Sequence, residues 1–267
     1  MSKLPGAIKV LIIINVVVFG IAQIPGIEDQ VFQLFAMFFP KNPNFQYWQI
    51  VTSMFMHGGI MHILLNMYGL WAFGSPIEIM WGKQRFLIFY FASGIGAGLI
   101  FLLVNYYQFN TLYNDILAMG VSANDIQNIL STGNYSAADV LPSFSQKDIG
   151  DALALDLVTL KEKLTSLYRL FHVPAVGASG AIYGILVAFG MSFPNSKLAL
   201  IFLPVPIPAK FFIPVLIGID LFSGVTGFSI FGGGVAHFAH VGGAFVGFLM
   251  VWYWKVSGAI RVPVQYE

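Results

Sequence analysis

Cysteine is absent from the 267 residues, and charge is scarce: Asp, Glu, Lys and Arg together make up 9% of the chain, against roughly 25% in an ordinary soluble domain. The missing cysteine excludes disulfides, thiolate catalysis and cysteine-ligated zinc, and leaves the redox compartment unread. The missing charge excludes a water-exposed surface of the usual extent. A net charge of +1 offers no electrostatic footprint for nucleic acid, which is not expected as a partner. Hydrophobic residues fill the space, at 57% of the chain with a mean hydropathy of +0.78. The composition is that of an all-α polytopic protein whose partner is the lipid bilayer.

A bilayer core takes about 20 apolar residues per helix, usually between roughly 17 and 25. Six stretches approach this: Ala7–Ile24, Ile60–Phe73, Phe86–Tyr107, Ala178–Phe193, Phe211–Val225 and Ala236–Trp254. The first follows two lysines, as a signal peptide would, but it lacks a small-x-small cleavage site and five further stretches follow. It is expected to be a retained helix. The second, fourth and fifth are short, as helices are that stop at a water-filled cavity. With the N-terminus cytoplasmic, that side holds Lys3, Lys9, Lys83, Arg85, Lys197, Lys210, Lys255 and Arg261, while nine of the twelve acids lie opposite. The excess of basic residues therefore predicts a cytoplasmic N-terminus and a multi-pass protein of the cell membrane, plasma or inner.

Polar residues stand out on this background. Ser179 lies in the tetrad GASG at 177–180, flanked by Gly177 and Gly180, and opens an apolar helix at whose N-terminus free N–H groups favour developing negative charge. His240 sits in AHVGGAFVG at 239–247, and His62 and Asn66 in HILLN at 62–66. Serine is a poor nucleophile without an adjacent base, and histidine is the natural one. Gly243 and Gly247 give the His240 helix a small face that suits close approach to the Gly-rich serine segment. By the predicted topology all four polar groups reach the same half of the membrane. Asp220 lies inside the fifth apolar stretch and belongs to no motif; it is read as a structural polar group without a direct catalytic role. His237 is read as a structural hydrogen-bonding residue nearer the surface, and His172 as the end of the region before Ser179.

The region 108–172 is polar and acidic. Short helices separated by Gly, Asn and Pro are expected in its first part. In its second, Ser145 and Asp148 suggest a capped helix start, and Ile149, Leu153, Leu157, Leu160, Leu164, Leu167 and Phe171 recur at helical spacing up to Pro174. This helix is expected to lie on the outer membrane surface or to cap the opening near Ser179. The chain thus divides into 1–107, an extracytoplasmic helical insertion at 108–172, and 173–267.

The set HILLN, GASGAIYG and AHVGGAFVG, in this order on the second, fourth and sixth helices, resembles the rhomboid intramembrane serine proteases over roughly 45–107 and 173–254. The resemblance implies a six-transmembrane-helix bundle in which Ser179 is the nucleophile and His240 its base. His62 and Asn66 would stabilise the oxyanion with the Ser179 backbone N–H, and Tyr183 would pack on the imidazole. The stretch YWQIVTSMFMHGG at 47–59 resembles the family's membrane-embedded first loop, with His57 as a structural hydrogen-bonder. Single-pass membrane proteins are the implied substrates, and neither metal nor cofactor is implied. Two departures are visible. Gln49 follows Trp48 where the family often has arginine, so an anchoring role in the loop is expected to be lost, and the 65-residue insertion exceeds what the core needs. The alternative function is a silent rhomboid-like protein that binds membrane clients. A small transporter is disfavoured because no half of the chain repeats the other.

Overall fold

The computed structural model describes residues 4–131, 151–200, 203–228 and 236–260, which are predominantly helical. In chain order the helices are α1 (Gly6–Ile21), α2 (Glu28–Phe35), α3 (Gln49–Thr52) with a following 3₁₀ turn (Ser53–Phe55), α4 (Ile60–Trp81), α5 (Lys83–Ala118), α6 (Ala123–Ser131), α7 (Asp151–His172), α8 (Ser179–Ser192), α9 (Ala209–Thr226) and α10 (His237–Val256). Between α8 and α9 lies an antiparallel pair, β1 (Lys197–Leu200) and β2 (Leu203–Pro208), with Leu198 opposite Ile207. By length and composition α5 and α9 can each cross a membrane, the segment Gln49–Phe55 and α4 pass the same test taken together with a 94° bend between them, and α1 and α8 are apolar but shorter.

Two helices run further than their hydropathy suggests. α4 continues past Phe73 through Gly74, Ser75 and Pro76 to Trp81, so it is not short. Proline forfeits one hydrogen bond there, yet an apolar medium offers the backbone no better partner than the helix itself. α5 continues past Tyr107 to Ala118. Hydropathy falls at Gln108 and Asn110, but Phe109, Leu112 and Ile116 keep the helical spacing, with Phe109 and Ile116 buried.

The chain divides into two compact units. The first comprises Met1–Met37, Tyr47–Phe101 and Ala175–Glu267. Around a core that includes Leu70, Ile77, Phe86, Phe89 and Tyr90, its surface is apolar too, unlike that of a water-soluble domain. Val10, Ile13, Leu64, Leu65, Phe211 and Phe222 are exposed, whereas Asn15, Ser93, Ser192, Ser223 and Asp220 are buried. Lipid accepts the first set without cost, and the second needs partners inside the protein. Glu78, buried on α4, has such partners: its two carboxylate oxygens accept the backbone N–H groups of Ala7 at 2.7 Å and Ile8 at 2.8 Å, whereas the hydroxyls of Ser93, Ser192 and Ser223 have none among the described residues. The Ala7 and Ile8 N–H groups are first-turn donors that α1 cannot satisfy itself, and a carboxylate suits that helix end.

The second unit comprises Phe38–Gln46 and Leu102–Pro174. Phe109, Ile116, Ile126, Ile129, Leu160, Leu164, Leu167 and Phe171 share its core. The apolar face of α7 is therefore occupied by α6 and the end of α5, not laid on a membrane surface as one expectation had it. The heptad-like stripe needed a partner, and neighbouring chain supplied it. Ser122 caps α6 by accepting the Asp125 N–H at 3.1 Å, and Lys163 pairs with Asp115 at 2.5 Å. The expected cap at Ser145–Asp148, Ile149 and the side chain of Leu153 lie outside the described residues.

Candidate active site

Ser179 is the first residue of α8, so its N–H is one of the four that the helix leaves free. The chain reaches it in extended form, held on both sides. Ala175 exchanges backbone hydrogen bonds with Met37, and the Gly177 N–H donates to the Ser53 carbonyl at 2.9 Å. Gly177 has φ +122°, and a methyl group built on it would meet His62 Nε2 at 2.7 Å and lie 3.6 Å from Ser179 Oγ. Only glycine fits, by conformation and by space. The histidine and the hydroxyl thus face each other across the side chain that Gly177 lacks.

α8 and α10 meet backbone to backbone. A methyl group on Gly243 would sit 1.9 Å from the Gly180 carbonyl oxygen, and one on Gly247 2.6 Å from the Gly184 Cα. This approach brings His240 Nε2 to 2.8 Å from Ser179 Oγ. The Tyr183 ring, one turn beyond Ser179, stacks on the His240 imidazole with centroids 4.3 Å apart and planes at 12°.

The other imidazole nitrogen of His240, Nδ1, lies 3.3 Å from Asp220 Oδ1, and His237 Nδ1 lies 2.5 Å from the same oxygen. The Tyr183 hydroxyl donates to Asp220 Oδ2. Asp220 is 2% exposed. Reading this aspartate as a motif-free structural group missed its place against His240. Two signals pointed to it: a carboxylate within an apolar stretch, and two histidines three residues apart, hence on one helix face. His237 does make a hydrogen bond, to that carboxylate.

On the far side of Ser179, His62 Nδ1 accepts the Gly58 N–H at 3.4 Å. The Asn66 amide donates to the His62 carbonyl at 2.8 Å, which leaves its second N–H for other use. His57 is buried, and its ring stands edge-on to His62 with centroids 5.0 Å apart. Neither of its ring nitrogens makes a hydrogen bond of ordinary geometry among the described residues. The small cavity beside Ser179 is lined by Ser53, Met54, Ala97, Gly98, Val176 and Ala236, among others.

The loop that carries Ser53 is anchored after all. Gln49 is buried, and its amide donates to the Gln33 carbonyl at 2.8 Å. Trp48 Nε1 donates to the Leu34 carbonyl and Thr52 Oγ1 to that of Phe35, each at 2.9 Å. These carbonyls are in the last turn of α2, where the helix has no partners for them. A neutral amide does there what any long donor can, so the expected loss of anchoring with the arginine does not follow.

The chain matches the Rhomboid domain over residues 44–124 and 153–256. It belongs to the rhomboid family. Over 246 residues it is 25% identical to the presenilin-associated rhomboid-like protein, mitochondrial, of Homo sapiens, covering 91% of this chain and 46% of that one. It is 25% identical over 252 residues to rhomboid protein 1, mitochondrial, of Saccharomyces cerevisiae, covering 94% of this chain and 54% of that one. A third relative, rhomboid-like protease 3 of Toxoplasma gondii, is 34% identical over 77 residues, 29% of each chain. The chain spans about half the length of the first two relatives. Both are mitochondrial by name, which overturns the expected plasma or inner cell membrane. The expectation failed because basic residues report which face of a membrane a loop lies on, not which membrane it is.

Proposed function

We propose that this chain is an intramembrane serine endopeptidase that cleaves within or beside the membrane segments of single-pass proteins. One observation carries the reading: the 2.8 Å approach of His240 Nε2 to Ser179 Oγ, a nucleophile in contact with its base. Ser179 Oγ attacks the scissile carbonyl while its proton passes to His240 Nε2. The oxyanion is received by the free Ser179 N–H, His62 and the second N–H of Asn66. His240 then protonates the leaving amine, and water entering the site hydrolyses the acyl-enzyme by the same steps in reverse order of roles. These steps need only the chain's own groups and water.

In this reading α1, α4, α5, α8, α9 and α10 are the six spans, and the chain between α5 and α8 is an insertion on the face opposite most lysines and arginines. The name of the Toxoplasma gondii relative, a protease, agrees with the chemistry. The names of the human and yeast relatives favour a mitochondrial membrane, which fractionation and immunoblotting would test.

The decisive experiment reconstitutes the chain in liposomes with a single-pass substrate. Ser179→Ala and His240→Ala are each expected to lower turnover by at least about 10⁴ while leaving the protein folded. Substantial cleavage by both variants would sink the assignment. A wild-type chain that binds the substrate without cutting it would instead favour a client-binding role.

A further inference from the structure

We propose that Asp220 is a positioning residue for the reaction: its carboxylate fixes the His240 tautomer and orientation, so that the site works as Ser179–His240–Asp220 and not as an isolated pair. The proposal rests on the protease reading above. It starts from an expense. Asp220 stands on α9 in an apolar stretch, 2% exposed, where a charge persists only with partners. Its partners are not scattered. The donors that meet it among the described residues, His240 Nδ1, His237 Nδ1 and the Tyr183 hydroxyl, either belong to the reacting imidazole, neighbour it on α10 or support its ring.

The consequence for protons is definite. A carboxylate only accepts hydrogen bonds, so the nitrogen facing it, Nδ1, carries the imidazole proton. Nε2 is then left with a lone pair aimed at Ser179 Oγ, 2.8 Å away. When Nε2 takes the serine proton, the resulting imidazolium faces a carboxylate that stays ionised, and the pair compensates in surroundings that would otherwise disfavour the charge. Oδ1 is nearer to His237 than to His240. We read His237 as the clamp that holds this oxygen in place. Oδ2 is tied to the Tyr183 hydroxyl, and Tyr183 in turn carries the stacked His240 ring. Asp220 therefore positions His240 twice, through its nitrogen and through the platform beneath it.

The test uses the full chain in detergent and reads two rates: turnover of a single-pass substrate, and labelling of Ser179 by a fluorophosphonate, expressed per reactive site. Asp220→Asn keeps the shape but not the acceptor-only character. It is expected to lower kcat and the labelling rate constant by on the order of 10²–10⁴ with KM changed by less than about threefold. Asp220→Glu should recover at least about tenfold over Asp220→Asn, and His237→Gln should lose less than about tenfold. A merely structural role would instead reduce the reactive fraction and the Tm at an unchanged rate per site, and that result overturns the proposal. So does an Asp220→Asn protein within about threefold of wild type. Should neither Asp220 variant fold, Tyr183→Phe carries the test: a labelling rate lowered by at least about fivefold supports the proposal, and an unchanged one overturns it. Ser179→Ala and His240→Ala run alongside. If they still cleave, the protease reading fails; if they are dead while Asp220→Asn is fully active, only the role of Asp220 falls.

Discussion

In the unit that holds Ser179, two helices meet through glycine; in the unit built from α6, α7 and the end of α5, large side chains fill the interior. Gly243 and Gly247 lie against the backbone of Gly180 and Gly184, whereas Phe109, Ile116, Leu164 and Leu167 interlock in the other core. The glycine seam itself buries little apolar side chain, while Phe86, Phe89 and Tyr90 fill the same unit's core elsewhere, and the seam holds a hydroxyl, two imidazoles and a carboxylate in fixed register. The second buries Phe109, Ile116, Leu164 and Leu167 among large side chains. Close backbone approach is what fixes a short contact between side chains on two helices, because little slack is left between them. A leucine-filled core supplies stability but tolerates small shifts.

The contrast breaks most sharply at Gly243. A methyl group there would meet the Gly180 carbonyl oxygen at 1.9 Å, so Gly243→Ala is expected to abolish fluorophosphonate labelling and to lower the Tm. A Gly243→Ala protein that labels at the wild-type rate would show that the seam is not what sets the contact between Ser179 and His240. Next in size are His62→Ala and Asn66→Ala. Each should reduce turnover by about 10²–10³, as loss of one oxyanion donor does, with little change in KM. Weakened binding at unchanged turnover would mark them as substrate contacts instead.

Leu164→Ala probes the other side. Leu164 is 1% exposed in the second core, and truncation should cost about 2–5 kcal/mol of that unit's stability. Labelling per folded molecule is expected to stay within about twofold of wild type. A matching fall in labelling rate would tie that core to the site. The smallest effect belongs to Lys163→Ala, which removes a partly exposed pair with Asp115. Thermal unfolding should register no more than about 1 kcal/mol.

Much of the site was legible in the sequence because the residues concerned are marked by what surrounds them. Ser179 between glycines, His240 before a small-residue face, and the HILLN cluster each stand out in apolar sequence, and Leu160, Leu164, Leu167 and Phe171 announce the buried face of α7 by period alone. Gln49 and Asp220 were not legible in the same way. The bond from Gln49 to Gln33 spans 16 residues and that from Asp220 to Tyr183 spans 37, and no local pattern encodes either. The lengths of α4 and α5 were underread because hydropathy falls where the helical hydrogen-bond ladder continues.

The sequence by itself determined the medium and the cast. Its apolar composition requires helices that satisfy their own backbone, and its motifs carry the family resemblance and mark the serine, histidines and asparagine of the candidate site. Only the tertiary structure decided which polar groups meet. A buried carboxylate in such a medium must find donors, but which ones depends on how α9 and α10 are turned and how closely α10 approaches α8. Those are properties of side-chain packing between segments distant in the chain. That is why one aspartate outside every motif ends against His240 Nδ1.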